Sequence, residues 1–305
     1  KSLRFQEAFV LQAALLEQRA LLKLQSATAR VPKPGGLLER FDAQLPFVLT
    51  GDQTTVGVEI ASDIATSAPM NRLVQGDVGA GKTVIAMCAL LIAVRNGYQA
   101  ALMAPTEILA EQHYLGIRRT MESLGVKVTL LSGGLPAKEK RAALAAIASG
   151  EAQITVGTHA LIQDDVVFHR LGLGVVDEQH RFGVMQRAAL KQKGFSPDVL
   201  VMTATPIPRT LTLTVYGDLD VSIIDQLPPG RKPIKTHWKR GHERQAVYET
   251  LRRLLKEGRQ AFVICSLIEE NEKLQARAAT ELASHLQTHV FTEYAVGLLH
   301  GQMKP

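Results

Sequence analysis

Gly76-Asp77-Val78-Gly79-Ala80-Gly81-Lys82-Thr83 fills every position of the pattern G-x-x-x-x-G-K-[ST]. Residues 72–75, just before it, read as a strand. Residues 83–96, just after it, are apolar nearly all round and stop at Gly97, which predicts a buried helix with a glycine cap. A glycine-rich turn between strand and helix has a definite chemistry. The backbone can wrap closely around phosphate oxygens, and the loop N–H groups and the helix N-terminus supply positive potential. Lys82 is then expected to reach the β- and γ-phosphates of a nucleotide, and the Thr83 hydroxyl to hold Mg²⁺.

Working outward, short apolar runs alternate with helical stretches from about Leu45 onward. Strands are expected at 72–75, 100–104, 126–131, 153–157, 173–177 and 199–203. Their continuous apolar character fits burial on both faces, as in a parallel sheet. Residues 136–149 begin with a proline suited to a first helical turn and end before Gly150. Strand–helix alternation of this kind predicts an α/β, doubly wound parallel sheet. The alternation pauses near Pro228-Pro229-Gly230 and restarts with a strand at 260–266, a helix at 270–287 and a strand at 296–300. The first thirty residues read as helix, broken by Pro32-Lys33-Pro34-Gly35-Gly36. The expected organisation is a helical linker over 1–44, a first domain over 45–225, and over 226–305 a connection with the start of a second, incomplete α/β domain.

The second half of a nucleotide site is an acidic group at a neighbouring strand end. Leu173-Gly174-Val175-Val176-Asp177-Glu178 supplies it. Asp177 is placed to hold Mg²⁺ through water, and Glu178 to orient or deprotonate an attacking water.

Composition bounds the rest. The chain has 305 residues, 46% hydrophobic and 21% charged, enough for two domains with real cores and far from a disordered composition. Two cysteines, Cys88 and Cys265, exclude a disulfide scaffold and a CxxC zinc module, and both are expected to be buried. The longest apolar run, from Val84 to Val94, is shorter than the roughly 20 residues a membrane span needs. The start Lys1-Ser2-Leu3-Arg4, without an initiator Met, points to a piece of something longer. Net charge is +6, yet residues 226–260 alone carry ten Lys/Arg against Glu243, Glu249 and Glu257, an excess of +7. Such a stretch, Lys239 and Arg240 included, suits a phosphate backbone, or else a solvated linker. Trp238 within it is expected to pack beneath the linker.

Several short segments resemble superfamily-two helicases. Asp177-Glu178-Gln179-His180 resembles their four-letter box, with Gln179 and His180 continuing the nucleotide site. Thr203-Ala204-Thr205-Pro206 resembles the motif that couples nucleotide state to nucleic-acid contact. Ala104-Pro105-Thr106-Glu107 and Gly157-Thr158-His159 resemble the two strand-end motifs that touch the DNA backbone. Strand-end hydroxyls and N–H groups can hold phosphate oxygens. Residues 47–53, from Phe47 to Gln53, resemble the adenine-recognition segment. There Phe47 would pack on the base and the Gln53 amide would read its edge, as amides read adenine in a groove.

The run from Asp177 to Val184, the continuation Pro206-Ile207-Pro208-Arg209-Thr210-Leu211, and His300-Gly301-Gln302-Met303-Lys304-Pro305 narrow the resemblance to the RecG family of bacterial fork-remodelling translocases. It covers the chain from about Leu45 to its last residue. It implies RecA-like motor domains, ATP and Mg²⁺ as cofactors, branched DNA (forks and Holliday junctions) and single-stranded DNA-binding protein as partners, and a monomer in the bacterial cytoplasm, associated with the nucleoid. That family's wedge domain, arginine finger and duplex-coupling hairpin find no match here. The alternatives are a transcription–repair coupling translocase and, from another class, a non-motor nucleotide switch or kinase.

Overall fold

The computed structural model describes residues 24–32, 35–177, 189–205, 219–230, 234–265, 272–299 and 303, with scattered positions between 6 and 21; over 272–277 it describes the backbone only. The chain forms two compact units, Lys1–Arg231 and Lys232–Pro305.

The first unit is built on seven strands: β1 (Asn71–Gly76), β2 (Gln99–Met103), β3 (Val128–Leu131), β4 (Ile154–Gly157), β5 (Leu171–Asp177), β6 (Asp198–Thr203) and β7 (Asp220–Ile224). Their order is β3-β4-β2-β5-β6-β1-β7, and every pairing is parallel. The six expected strands all form. β7 is an addition to them: its sequence Asp220-Val221-Ser222-Ile223-Ile224 alternates instead of running apolar, as suits an edge strand wetted on one side. Central β2, β4 and β6 are buried at every position.

Helices cover both faces, as parallel crossovers require. They are α1 (Leu37–Gln44), α2 (Gly51–Ile64), α3 (Lys82–Arg95), α4 (Glu107–Ser123) and α5 (Ala137–Ser149). Helix α3 is apolar all round because α1 and α2 pack on the side turned away from the sheet. Phe41 of α1 and Val56 and Ile60 of α2 share its core and are each no more than 2% exposed. On the opposite face Ala143 and Ile147 of α5 pack with Leu161, Val176 and Leu190. Cys88 lies in the α3 core, where burial pushes its thiol up to about 12.

The opening segment departs from expectation. Its described positions are helical up to Leu21, but residues 26–32 have no regular structure. Their donors go elsewhere: the Ala27 N–H to the Ser67 carbonyl at 2.7 Å and the Arg30 N–H to Ile64 at 2.9 Å. Arg30 is 1% exposed and forms an ion pair with Asp198, equally buried at the start of β6. Asp198 also accepts the Met70 N–H at 2.8 Å. The Arg30 guanidinium lies 4.3 Å from the Tyr98 ring centre, and Arg170 lies 4.1 Å from the same ring. This strap and α1 thus belong to the first unit's core.

The second unit contains α6 (Arg244–Lys256) and α7 (Glu272–His285), the latter ending in a π turn, Leu286–Val290. Tyr248 meets Phe291 edge-on at 5.7 Å. Neither strand expected here forms among the described residues: 260–265 and 296–299 have no regular structure, and Phe262 and Ile264 are about nine-tenths exposed. A strand is stable only when a neighbour accepts its backbone hydrogen bonds, and no described segment of this unit does so. Cys265 is exposed, contrary to expectation, because it lies in that unpaired run. Trp238 is exposed as well, with the Arg240 guanidinium 5.8 Å from its ring centre.

Burial pushes the Asp198 carboxyl up to about 6, although Arg30 and the Met70 N–H oppose the shift. Between about pH 4 and 6 the folded state therefore holds more protons at this site than the unfolded state, and stability falls as pH rises through that window. Arg30→Met leaves the carboxylate buried without its counter-charge, which costs about 3–5 kcal/mol at neutral pH. Thermal melts should show a large drop in Tm at pH 7.5 and a clearly smaller one at pH 5, where Asp198 is protonated.

Candidate functional site

The carboxyl ends of β1, β6 and β5 stand side by side, and each carries one part of the expected site. Beyond β1, Gly76 to Thr83 turns into α3. The Asp77 carboxylate accepts the Val78 N–H at 2.7 Å, and the Asp77 carbonyl accepts the Ala80 N–H at 3.0 Å. Gly79 has φ +79° and Gly81 φ +88°, the left-handed region. At Gly81 space adds a second demand, because a Cβ there would stand 2.2 Å from Gln53 Nε2. Lys82 is 9% exposed, and its Nζ donates to the carbonyls of Gly76 at 2.7 Å and Asp77 at 3.1 Å. Thr83 follows in the first turn of α3, partly buried.

Gln53 is neither an exposed turn residue nor loosely held. It occupies the third position of α2 and is 1% exposed. Its Oε1 accepts the Thr50 N–H at 2.9 Å while its own N–H donates to Thr50 Oγ1 at 3.3 Å, a reciprocal cap. Its Nε2 donates to the Ala80 carbonyl at 2.8 Å, bracing the glycine turn from α2. Phe47 stands nearly half exposed upstream. Next to Gln53, Asp52 accepts the N–H groups of Asp225 at 2.9 Å and Gln226 at 2.7 Å, and Gln226 Oε1 accepts the Asp52 N–H at 3.2 Å. The α2 N-terminus is thereby clasped to the segment that follows β7.

Asp177 ends β5, with its Oδ2 2.6 Å from Nε2 of His113 on α4. Glu178, Gln179 and His180 lie outside the described residues, as do 181–184 and 206–211. Strand β6 runs between β1 and β5, pairing Thr203 with Gln75 and Met202 with Asp177. Thr203 is fully buried and its hydroxyl accepts the Thr205 N–H at 3.2 Å, so the Thr203-Ala204-Thr205 segment lies between the two halves of the site. Thr83 and Asp177 offer a hydroxyl and a carboxylate, the hard oxygens that suit Mg²⁺. The strands that lead to them, β1 and β5, are two ladder steps apart, about 10 Å.

The expected DNA-contacting ends of β2 and β4 lie farther along the same edge. Pro105 is half-buried, and Thr106 caps α4 by accepting the Leu109 N–H at 3.3 Å. Glu107, in the first turn, accepts the Gly134 N–H at 2.7 Å. Gly157 is buried against β3, where a Cβ would stand 2.2 Å from the Leu131 carbonyl oxygen. Thr158 is 1% exposed and its hydroxyl caps the short helix His159–Ile162, which leaves His159 as the exposed member of that trio. Lys239 and Arg240 belong to the second unit. Both are exposed; Lys239 pairs with Glu243 at 2.9 Å.

A model of the DEAD/DEAH box helicase family matches residues 58–214. The chain belongs to that family. It is similar to the ATP-dependent DNA helicase RecG of Synechocystis, 51% identical over the whole of this chain and 37% of that protein. It is likewise similar to RecG of Streptococcus pneumoniae, 48% identical over the whole of this chain and 45% of that protein. A solved structure of RecG bound to a three-way DNA junction superposes with a TM-score of 0.77 at 40% identity, covering 94% of this chain and 37% of that one. The chain therefore spans less than half the length of these relatives. The first unit has the RecA-like helicase fold of the family, and the expected likeness to RecG runs through both units.

Two participants are not evident from the sequence. In the sequence His113 has no metal-ligand spacing to either Cys and so no evident role, although it follows Thr106 by seven residues, a spacing that keeps both on one helix face. The Asp52–Gln226 clasp joins residues 174 positions apart and leaves no local signal. Gln53→Ala removes the brace on Ala80 and the side-chain half of the cap, leaving the backbone N–H at position 53 on Thr50 Oγ1, and should cost about 1–3 kcal/mol in chemical denaturation. In steady-state assays the variant should raise the KM for ATP more than that for GTP; equal rises would leave Gln53 as a brace alone.

Proposed function

We propose that this chain is the nucleotide-binding part of an ATP-dependent DNA helicase that translocates on duplex DNA and acts on branched substrates, regressing stalled forks and migrating Holliday junctions in repair and recombination. The observation that carries this reading is that likeness to RecG extends over the whole chain, together with a complete phosphate loop aligned with an acid-ended strand. Lys82 would neutralise the β- and γ-phosphates, Thr83 and Asp177 would hold Mg²⁺, and Glu178 would activate water. Bound Mg²⁺ would supply charge stabilisation at the transferring phosphoryl group. Gln53 and Phe47 would take the adenine, with Gln179 and His180 completing the site. Pro105, Thr106, Gly157, Thr158, His159, Lys239 and Arg240 would follow the DNA backbone, and Thr203, Ala204 and Thr205 would link the two sites.

Lys82→Ala in the full-length protein should abolish DNA-stimulated ATP hydrolysis. Lys82 closes the loop by donating to two carbonyls, so a modest fall in Tm should accompany the loss. Wild-type turnover in that variant would refute the reading. For DNA binding, Lys239→Glu with Arg240→Glu should weaken affinity for fork DNA about equally across sequences. The log–log salt slope should flatten by about one unit for each phosphate no longer engaged. Because Glu243 already compensates Lys239, Arg240→Glu alone should account for most of the change, measured by salt titration of labelled fork DNA.

A further inference from the structure

The hydrogen bond between His113 and Asp177 joins two parts of the molecule that the proposed function treats separately. Asp177 ends the strand that would hold Mg²⁺. His113 lies on α4, the helix whose N-cap, Thr106, is a proposed DNA-binding residue. Nε2 of His113 is 2.6 Å from Oδ2 of Asp177, and both side chains are 14% exposed. We propose that His113 is a positioning residue: it fixes the orientation of the Asp177 carboxylate for Mg²⁺ and links that orientation to the DNA-facing end of α4. This inference rests on the nucleotide and DNA roles proposed above.

A carboxylate that holds a metal must present one oxygen in a fixed direction, and rotation about its terminal bond would blur that direction. A hydrogen bond from a neighbouring side chain to the other oxygen removes the freedom. Outer partners of this kind typically change metal affinity or activity 10–100-fold when removed. Here the Nε2 donor, held on a 17-residue helix, engages Oδ2.

Helix α4 is also a mechanical link. From Thr106 to His113 is seven residues, two helical turns and about 10 Å along the axis. Thr106 accepts the Leu109 N–H, and Glu107 accepts the Gly134 N–H from the loop after β3. Its own cap and the loop after β3 thus hold the α4 N-terminus, while Ile117 and Met121 anchor its far half in the core. A shift at the Thr106 end, caused by a phosphate engaging that turn, must move the imidazole relative to Asp177, because a hydrogen-bonded helix transmits displacement along its axis. DNA engagement and metal affinity are then coupled through one helix, and the coupling is reciprocal.

The test uses the full-length protein, with ATP hydrolysis measured across a Mg²⁺ titration with and without fork DNA. His113→Phe keeps a ring of similar size and removes the donor. It should raise the Mg²⁺ concentration for half-maximal turnover about tenfold or more and reduce the factor by which DNA stimulates hydrolysis. His113→Gln keeps a donor and should recover part of both. If the Phe variant does not fold, His113→Ala takes its place. Wild-type Mg²⁺ dependence and stimulation in a folded donor-free variant would assign His113 to packing and overturn the inference, leaving the proposed function intact. Absence of Mg²⁺-dependent, DNA-stimulated hydrolysis in the wild type would instead defeat the proposed function.

Discussion

Parallel pairing is the constraint from which the rest of this chain's first unit follows. When every ladder runs in one direction, all strand carboxyl ends emerge along one edge, and each return must cross a face of the sheet. The crossovers bury both faces, which is why β2, β4 and β6 contain no exposed position. The same geometry collects residues scattered from Gly76 to Thr205 along one line. The phosphate loop, the Thr203 segment and Asp177 occupy three consecutive strands, and Thr106 and Thr158 cap the elements that follow the next two.

Polar groups along that edge already have protein partners. Lys82 is held by two carbonyls, Gln53 by Ala80 and Thr50, Thr158 by its own turn, and Asp177 by His113. A ligand arriving there exchanges hydrogen bonds instead of adding them, and the net gain per exchange is small. The affinity of such an edge depends on charge and on how far neighbouring elements yield. Because Gln53 touches the loop from α2 and Asp52 touches the segment after β7, occupancy at the loop can be felt at the point where the first unit's chain leaves its sheet.

What the sequence disclosed, it disclosed through local pattern. Six strands are legible because buried parallel strands are continuous apolar runs, and the phosphate loop because glycine, lysine and threonine there answer to backbone geometry and charge. β7 is hidden for the same reason in reverse: as an edge strand it mixes Asp220 and Ser222 with its apolar residues. In the second unit the runs around Phe262 and Leu299 have strand composition, but composition cannot provide the neighbour that a ladder needs. Arg30 is unreadable because its partner is 168 residues away, and nothing near it distinguishes a buried guanidinium from a solvated one. His113 lies between these cases, with a helical spacing to Thr106 that is visible and a partner on another strand that is not.

The strap bearing Arg30 and the helix bearing Phe41 alter what should be regarded as the smallest self-sufficient piece of this chain. The proposed site begins near Phe47, and the match to the helicase family begins at residue 58. The folding unit begins earlier. A polypeptide trimmed to the motifs would lose the ring that fills the space between α2 and α3, a vacancy of the kind that costs about 3–5 kcal/mol. It would also leave Asp198 buried without its cation. Lesions in this stretch would pass, in a genetic screen, for defects of the proposed nucleotide site itself. Their origin would be a sheet that has lost the lock at its amino-terminal edge, on the side opposite the nucleotide.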